Sequence, residues 1–168
     1  LLLWMRADLG VLDASGVPIA NGVAAKTWKD QSGSARDHAQ NTVANQPLWT
    51  AHDVDFASYP SLTFDSTDYF EQVASNIVTA GGTYAVITVA KATSAAGGPL
   101  FTARATTRYW STCLMDAGGG NFVAGNGVDA AANVTIGAVA KTSPFWCIHQ
   151  WNGSGTHPTI RFNDAAQA

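Results

Sequence analysis

Thr27-Trp28-Lys29-Asp30-Gln31-Ser32-Gly33 and Pro60-Ser61-Leu62-Thr63-Phe64-Asp65-Ser66-Thr67-Asp68-Tyr69-Phe70 decide how this chain is read. Each is a strand running into a polar turn. In the first, Trp28 is the apolar anchor and Asp30-Gln31-Ser32-Gly33 the bend, with His38-Ala39-Gln40 and Gln46-Pro47 following. In the second, Leu62 and Phe64 fall on one face by the two-residue strand period, and Asp65 to Asp68 turn the chain back. Asp and Ser suit such bends because their short side chains hydrogen-bond nearby backbone N–H groups, and Gly33 tolerates positive φ. Trp28 and Phe64 are therefore expected in the core. Asp30 and Asp65 are expected to hold their turns through backbone hydrogen bonds, without metal.

Working outward, Leu1 to Arg6 reads as a short apolar strand, and Asp8 to Gly22 as a loop broken by Gly16, Pro18 and Gly22. Val23 to Trp28 leads into the first turn. Asn41 to Pro60 reads as mostly irregular, and Tyr69 to Val73 as a strand beside or continuing Leu62 to Phe64. Thr83 to Ala90 is the clearest strand, and its β-branched density without breakers predicts a central position. Further strands are expected over Leu100 to Arg104, Arg108 to Asp116, Asn121 to Gly127, Val134 to Ala140, Phe145 to Asn152 and Thr159 to Asn163. Ala165 to Ala168 shows no pattern. Strands separated by Gly- and Asn-rich turns, with no helical periodicity, predict an all-β chain: an antiparallel β-sandwich or jelly roll.

The 168 residues match one domain with one sizeable core, so a single domain over 1–168 is expected. Charged residues make up 12%, about half the usual share. The net charge of −3 and the scattered Lys and Arg argue against a nucleic-acid partner, which needs clustered cations. No apolar run is long enough to span a bilayer. Leu1 is no initiator Met and reads as the interior start of a processed chain or of a fragment. Cys113 and Cys147 fall on separate strands, either as two small buried hydrophobes or as a disulfide of an oxidising compartment. Neither has a partner at zinc-ligand spacing.

Leu3-Trp4-Met5-Arg6-Ala7-Asp8-Leu9-Gly10-Val11, the Trp28 to Gly33 turn, Gln46-Pro47 and Phe64 to Phe70 together resemble the laminin G-like members of the concanavalin A-like lectin/glucanase superfamily. Such domains occur in bacterial surface and secreted proteins and in tailed-phage virion proteins. The resemblance implies a concanavalin A-like jelly roll at an extracellular or virion surface. The sequence departs from the pattern where Ser66 and Asp164 replace glycines. It also ends before the last expected strands, so the C-terminal strands of the domain are read as missing. One of them would flank the first strand in this family. The edge of Leu1 to Arg6 is therefore expected to be covered by another copy, another protein or a longer parent chain.

The glucanase members need closely spaced Glu residues around the scissile bond, whereas this chain has one, Glu71. Asp53 and Asp55 form the remaining acid–base candidate, more simply read as solvating a loop, and no Gly-x-Ser-x-Gly elbow supports a triad. No catalysis is expected, and no cofactor. Calcium, bound by some laminin G-like domains, would need convergent oxygens; Asp30, Asp65 and Asp68 could supply them, but turn roles explain them.

Two functions follow. One is a non-catalytic structural or display module of a virion or extracellular assembly, packed against other copies or other proteins. The other is a lectin-like module binding polysaccharide, for which Tyr109, Trp110, Asp116, Asn121 and Asn126 are the glycan-contacting candidates: aromatic faces for the apolar side of a sugar, carboxylate and amide groups for its hydroxyls. Trp4, Trp28 and Trp146 are read as core.

Overall fold

The computed structural model describes residues 1–72, 83–91, 99–105, 108–115, 122–125, 134–136, 143–151, 159–162 and 165–167. Among these, thirteen strands and two 3₁₀ turns are found, and every named strand pairing is antiparallel. The chain is all-β. It divides into two compact units, Leu1–Ile77 and Val78–Ala168.

In the first unit, β1 (Val11–Leu12), β2 (Thr27–Trp28) and β3 (His38–Ala39) form a sheet in that order. A hairpin pairs β4 (Leu48–Asp53) with β5 (Tyr59–Thr63). Backbone bonds join the two: Ala25 N–H to the Pro47 carbonyl at 2.8 Å, Trp49 N–H to Val23 at 3.0 Å, and Gly22 N–H to Trp49 at 2.9 Å. Strands this short leave many backbone groups outside a ladder, and buried groups of that kind must find partners. Two buried amides supply them. Gln46 Nε2 donates to the Gln40 carbonyl at 2.8 Å, while Gln40 Oε1 accepts Thr42 N–H at 2.8 Å. The buried set here is Val11, Ala25, Gln40, Gln46, Pro47 and Ser61.

Several expectations are corrected in this unit. Leu1 to Arg6 is not a strand, because its backbone bonds to a loop: Trp4 N–H donates to Asp30 Oδ1, and the Trp4 carbonyl accepts Gln31 N–H at 2.8 Å. With no strand there, the expected open edge does not exist in that form. Trp4 consequently lies outside the core, 47% exposed, with the Arg6 guanidinium 5.3 Å from its ring centroid. Phe64 is 45% exposed rather than buried, since β5 ends at Thr63 and the ring turns back to meet Phe70 edge-on at 6.0 Å. Trp28 is half-buried, 5.9 Å from Phe70, its indole N–H drawn to the Arg6 carbonyl at 2.7 Å. Asn41 to Pro60 holds the six-residue β4, and Tyr69 to Val73 contributes an isolated bridge from Glu71 to Ala39.

The second unit holds two four-stranded sheets. One runs β10 (Val134–Ile136), β9 (Phe122–Gly125), β8 (Arg108–Met115), β7 (Pro99–Ala105). The other runs β13 (Ala165–Gln167), β12 (Thr159–Phe162), β11 (Phe145–Trp151), β6 (Tyr84–Ala90). β6 and β11 pair over seven residues without a register shift, from Phe145 opposite Ala90 to Trp151 opposite Tyr84. On β11, Phe145, Cys147 and His149 are buried, while Trp146 and Ile148 on the opposite face are half-buried. Trp146 is thus not core; alternation reserves the inner face for its neighbours. β6 stands at the end of its described sheet, and the central places belong to β11 and β12, whose partners lie on both sides. The tail also differs from expectation: Ala165–Gln167 pairs with β12. Among the described residues no helix is long and apolar enough to cross a membrane.

Candidate functional site

The most connected polar group among the described side chains is Asp30. Its Oδ1 accepts Trp4 N–H and Ser32 N–H, each at 2.9 Å; its Oδ2 accepts the Ser32 hydroxyl at 2.7 Å and Arg36 N–H at 3.1 Å. Burial pushes the carboxyl up, but these donors outweigh it and bring it down to about 2. Asp37 Oδ1 in turn accepts the Asp30 N–H at 2.9 Å. The carboxylate therefore fastens three stretches of chain: the N-terminal arm, the Ser32 turn and the approach to β3.

Asp65 works similarly on a smaller scale. Its Oδ1 accepts the Thr67 N–H at 2.7 Å, the Thr67 hydroxyl at 2.9 Å and Asp68 N–H at 3.1 Å, while Asp68 Oδ2 accepts Asp65 N–H at 2.9 Å. The Thr67 backbone and hydroxyl donors hold Asp65 below its ordinary value. Both turn assignments for Asp30 and Asp65 are borne out as hydrogen-bonding roles. Asp53, the acid–base candidate, accepts Asp55 N–H at 2.9 Å through Oδ1 and the buried Ser61 hydroxyl at 2.6 Å through Oδ2. It caps the 3₁₀ turn Val54–Phe56, after which Ala57 and Ser58 take left-handed φ of 52° and 65°. Among the described residues no three His, Cys, Asp or Glu side chains are grouped as a metal would need.

No family model, curated protein or solved structure matches this chain. The site must be judged on its own chemistry.

Of the glycan candidates, Asp116, Asn121 and Asn126 lie outside the described residues. Tyr109 and Trp110 are placed by their backbone on β8. Tyr109 is opposite Arg104 and Ser111 opposite Ala103, so Trp110 is the additional residue of a β-bulge. Bulges bend a strand and re-aim its side chains, and they concentrate near binding sites. Sequence alone gave no sign of this bulge, since it depends on how β7 and β8 register.

Cys113 and Cys147 stand in different sheets of the second unit, Cys113 opposite Phe101 and Cys147 opposite Thr88. Cys147 is buried, as the small-hydrophobe reading expects. Beside it His149 is 1% exposed, opposite Val86 on β6 and Ile160 on β12, with the Tyr84 ring edge-on at 5.5 Å. The sequence pattern alone does not mark this histidine out.

Proposed function

We propose that this chain is a non-catalytic structural or display module of a virion or extracellular surface assembly. In this reading its strands make an antiparallel sandwich of the laminin G-like, concanavalin A-like jelly-roll kind. The observation that carries it is the outward face of β6. Ile87 and Val89 are 69% and 66% exposed, on a strand with no charged residue, and their register partners Ile148 and Trp146 on β11 are half-exposed. Contiguous exposed apolar side chains of this kind favour association. An outward β6 face without charge, bordered across β11 by the exposed Arg161 opposite Ile148, suits close packing against other copies or neighbouring proteins. The commitment of Asp30, Asp53 and Asp65 to turns supports a role without catalysis.

The second reading is a glycan-binding module, favoured by the bulge at Trp110 next to Tyr109. Light scattering of the purified chain over a range of concentrations separates the two. The structural reading expects a concentration-dependent multimer that Ile87→Lys with Val89→Lys reduces to monomer while the far-ultraviolet spectrum stays unchanged. A wild-type monomer that binds immobilised polysaccharide, and loses this with Tyr109→Ala and Trp110→Ala, would replace it with the lectin reading.

A further inference from the structure

We propose that Asn21-Gly22 is a self-modification site, at which the Gly22 nitrogen converts the Asn21 carboxamide to a carboxylate once two hydrogen bonds to β4 let go. The chemistry starts from the sequence. An asparagine is open to attack on Cγ by the backbone nitrogen of the next residue, and a glycine there has no Cβ to obstruct it. Among the described residues Asn21 alone is followed by glycine; Asn41 precedes Thr42 and Asn45 precedes Gln46. The pair is exposed, in a turn closed by the Val23 N–H on the Ala20 carbonyl at 3.2 Å. Gly22 has φ of +77°, and a Cβ placed on it would meet nothing within 4 Å, so solvent reaches the pair freely.

The fold holds both reactants back. Gly22 N–H donates to the Trp49 carbonyl at 2.9 Å, and Asn21 Oδ1 accepts Ala51 N–H at 2.8 Å, which ties the turn to β4 at two points. The nitrogen attacks only after giving up the proton that the Trp49 carbonyl holds. The carboxamide must also leave Ala51 to swing its carbon onto that nitrogen. In the released turn the N–Cγ bond forms and Cγ–Nδ2 breaks, leaving a five-membered succinimide, while the proton passes through solvent to the departing ammonia. Water then opens the ring. Addition at Cγ gives a normal aspartyl residue at position 21, which still offers Ala51 an acceptor. Addition at the backbone carbonyl carbon gives an isoaspartyl link, with Cβ now in the main chain. That longer backbone shifts Gly22 against Trp49 and undoes one of the bonds joining the β1–β3 sheet to the β4–β5 hairpin.

The test is peptide mass spectrometry of the full chain aged in mildly alkaline buffer, native and in concentrated urea, following aspartyl and isoaspartyl content at position 21. Asn126-Gly127 and Asn152-Gly153 supply the reference for the same reaction in the unfolded chain. In urea Asn21 should convert at a rate like theirs. In the native chain it should convert about 5- to 150-fold more slowly than in urea, the protection given by two net hydrogen bonds. Below the unfolding range, its rate should rise with urea in step with amide exchange at Gly22, since both need the same local opening. A native rate equal to or above the rate in urea would overturn the proposal. So would an Asn21 that stays intact in urea while the two reference pairs convert.

Discussion

Asp30 Oδ1 accepts the backbone N–H of Trp4 at 2.9 Å across 26 positions of chain, which makes one carboxylate the clasp between the N-terminal arm and the turn before β3. Removing it leaves four donors without their acceptor. Asp30→Ala should cost about 1–3 kcal/mol, the range for losing charge-assisted hydrogen bonds. For a chain of this size the thermal midpoint should drop by about 2–4 °C per kcal/mol. Exchange at the Trp4 and Arg36 amides should rise with it. Unchanged amides there would show that the arm is held by something else.

The same carboxylate also sets a pH response. Its folded value, about 2, lies below the ordinary 3.8, so its contribution is present above 3.8 and disappears as pH falls toward 2. Asp8 and Asp65 are also lowered, so the wild-type slope is not the measure of Asp30. The difference between wild type and Asp30→Asn is. In denaturant titrations that difference should be largest at neutral pH and shrink between pH 4 and 2.

Gly10 offers a test of close packing. It has φ of +79°, and a Cβ there would lie 2.5 Å from Gln31 Nε2 and 2.9 Å from Lys29 Cβ. Gly16 has the same φ but open space around it. Gly16→Ala should thus carry the left-handed penalty alone, about 1–2 kcal/mol. Gly10→Ala should exceed it by a further ~1–3 kcal/mol, since Lys29 sits on the backbone that bonds to Gly10 at 2.9 Å and cannot simply turn away. Equal midpoints for the two variants would show that the Lys29–Gln31 stretch yields freely.

The second unit was largely legible because its strands are long and alternate. Tyr84–Ala90, Phe145–Trp151 and Thr159–Phe162 fall within a residue or two of their expected ranges. The first unit was less so. Leu1-Leu2-Leu3 is apolar enough for a strand, yet its fate depends on a carboxylate far along the chain. In β4, Leu48-Trp49-Thr50-Ala51-His52-Asp53 ends in residues typical of loops, and pairing with β5 overrides that preference. Ala165–Gln167 shows no alternating pattern in the sequence, yet its backbone pairs with β12. For the site, Asp-Gln-Ser-Gly announced a turn, while nothing local could reveal that Trp4 and Arg36 also bind to Asp30.

Two indole N–H groups hold adjacent carbonyls of one short segment. Trp28 Nε1 donates to Arg6 and Trp49 Nε1 to Ala7, both at 2.7 Å. Trp28→Phe and Trp49→Phe each remove a donor while keeping an aromatic ring, and each should cost about 1 kcal/mol. The segment Arg6-Ala7 is short, so losing one anchor should release it partly from the other. The double variant is then expected to cost less than the sum of the singles, by about 0.5 kcal/mol or more, the coupling typical of groups sharing one network. Chemical denaturation of the four proteins completes the cycle. Additive losses would mean that the two tryptophans hold the arm independently, and that the arm is fixed by Asp30 at Trp4 more firmly than by either indole.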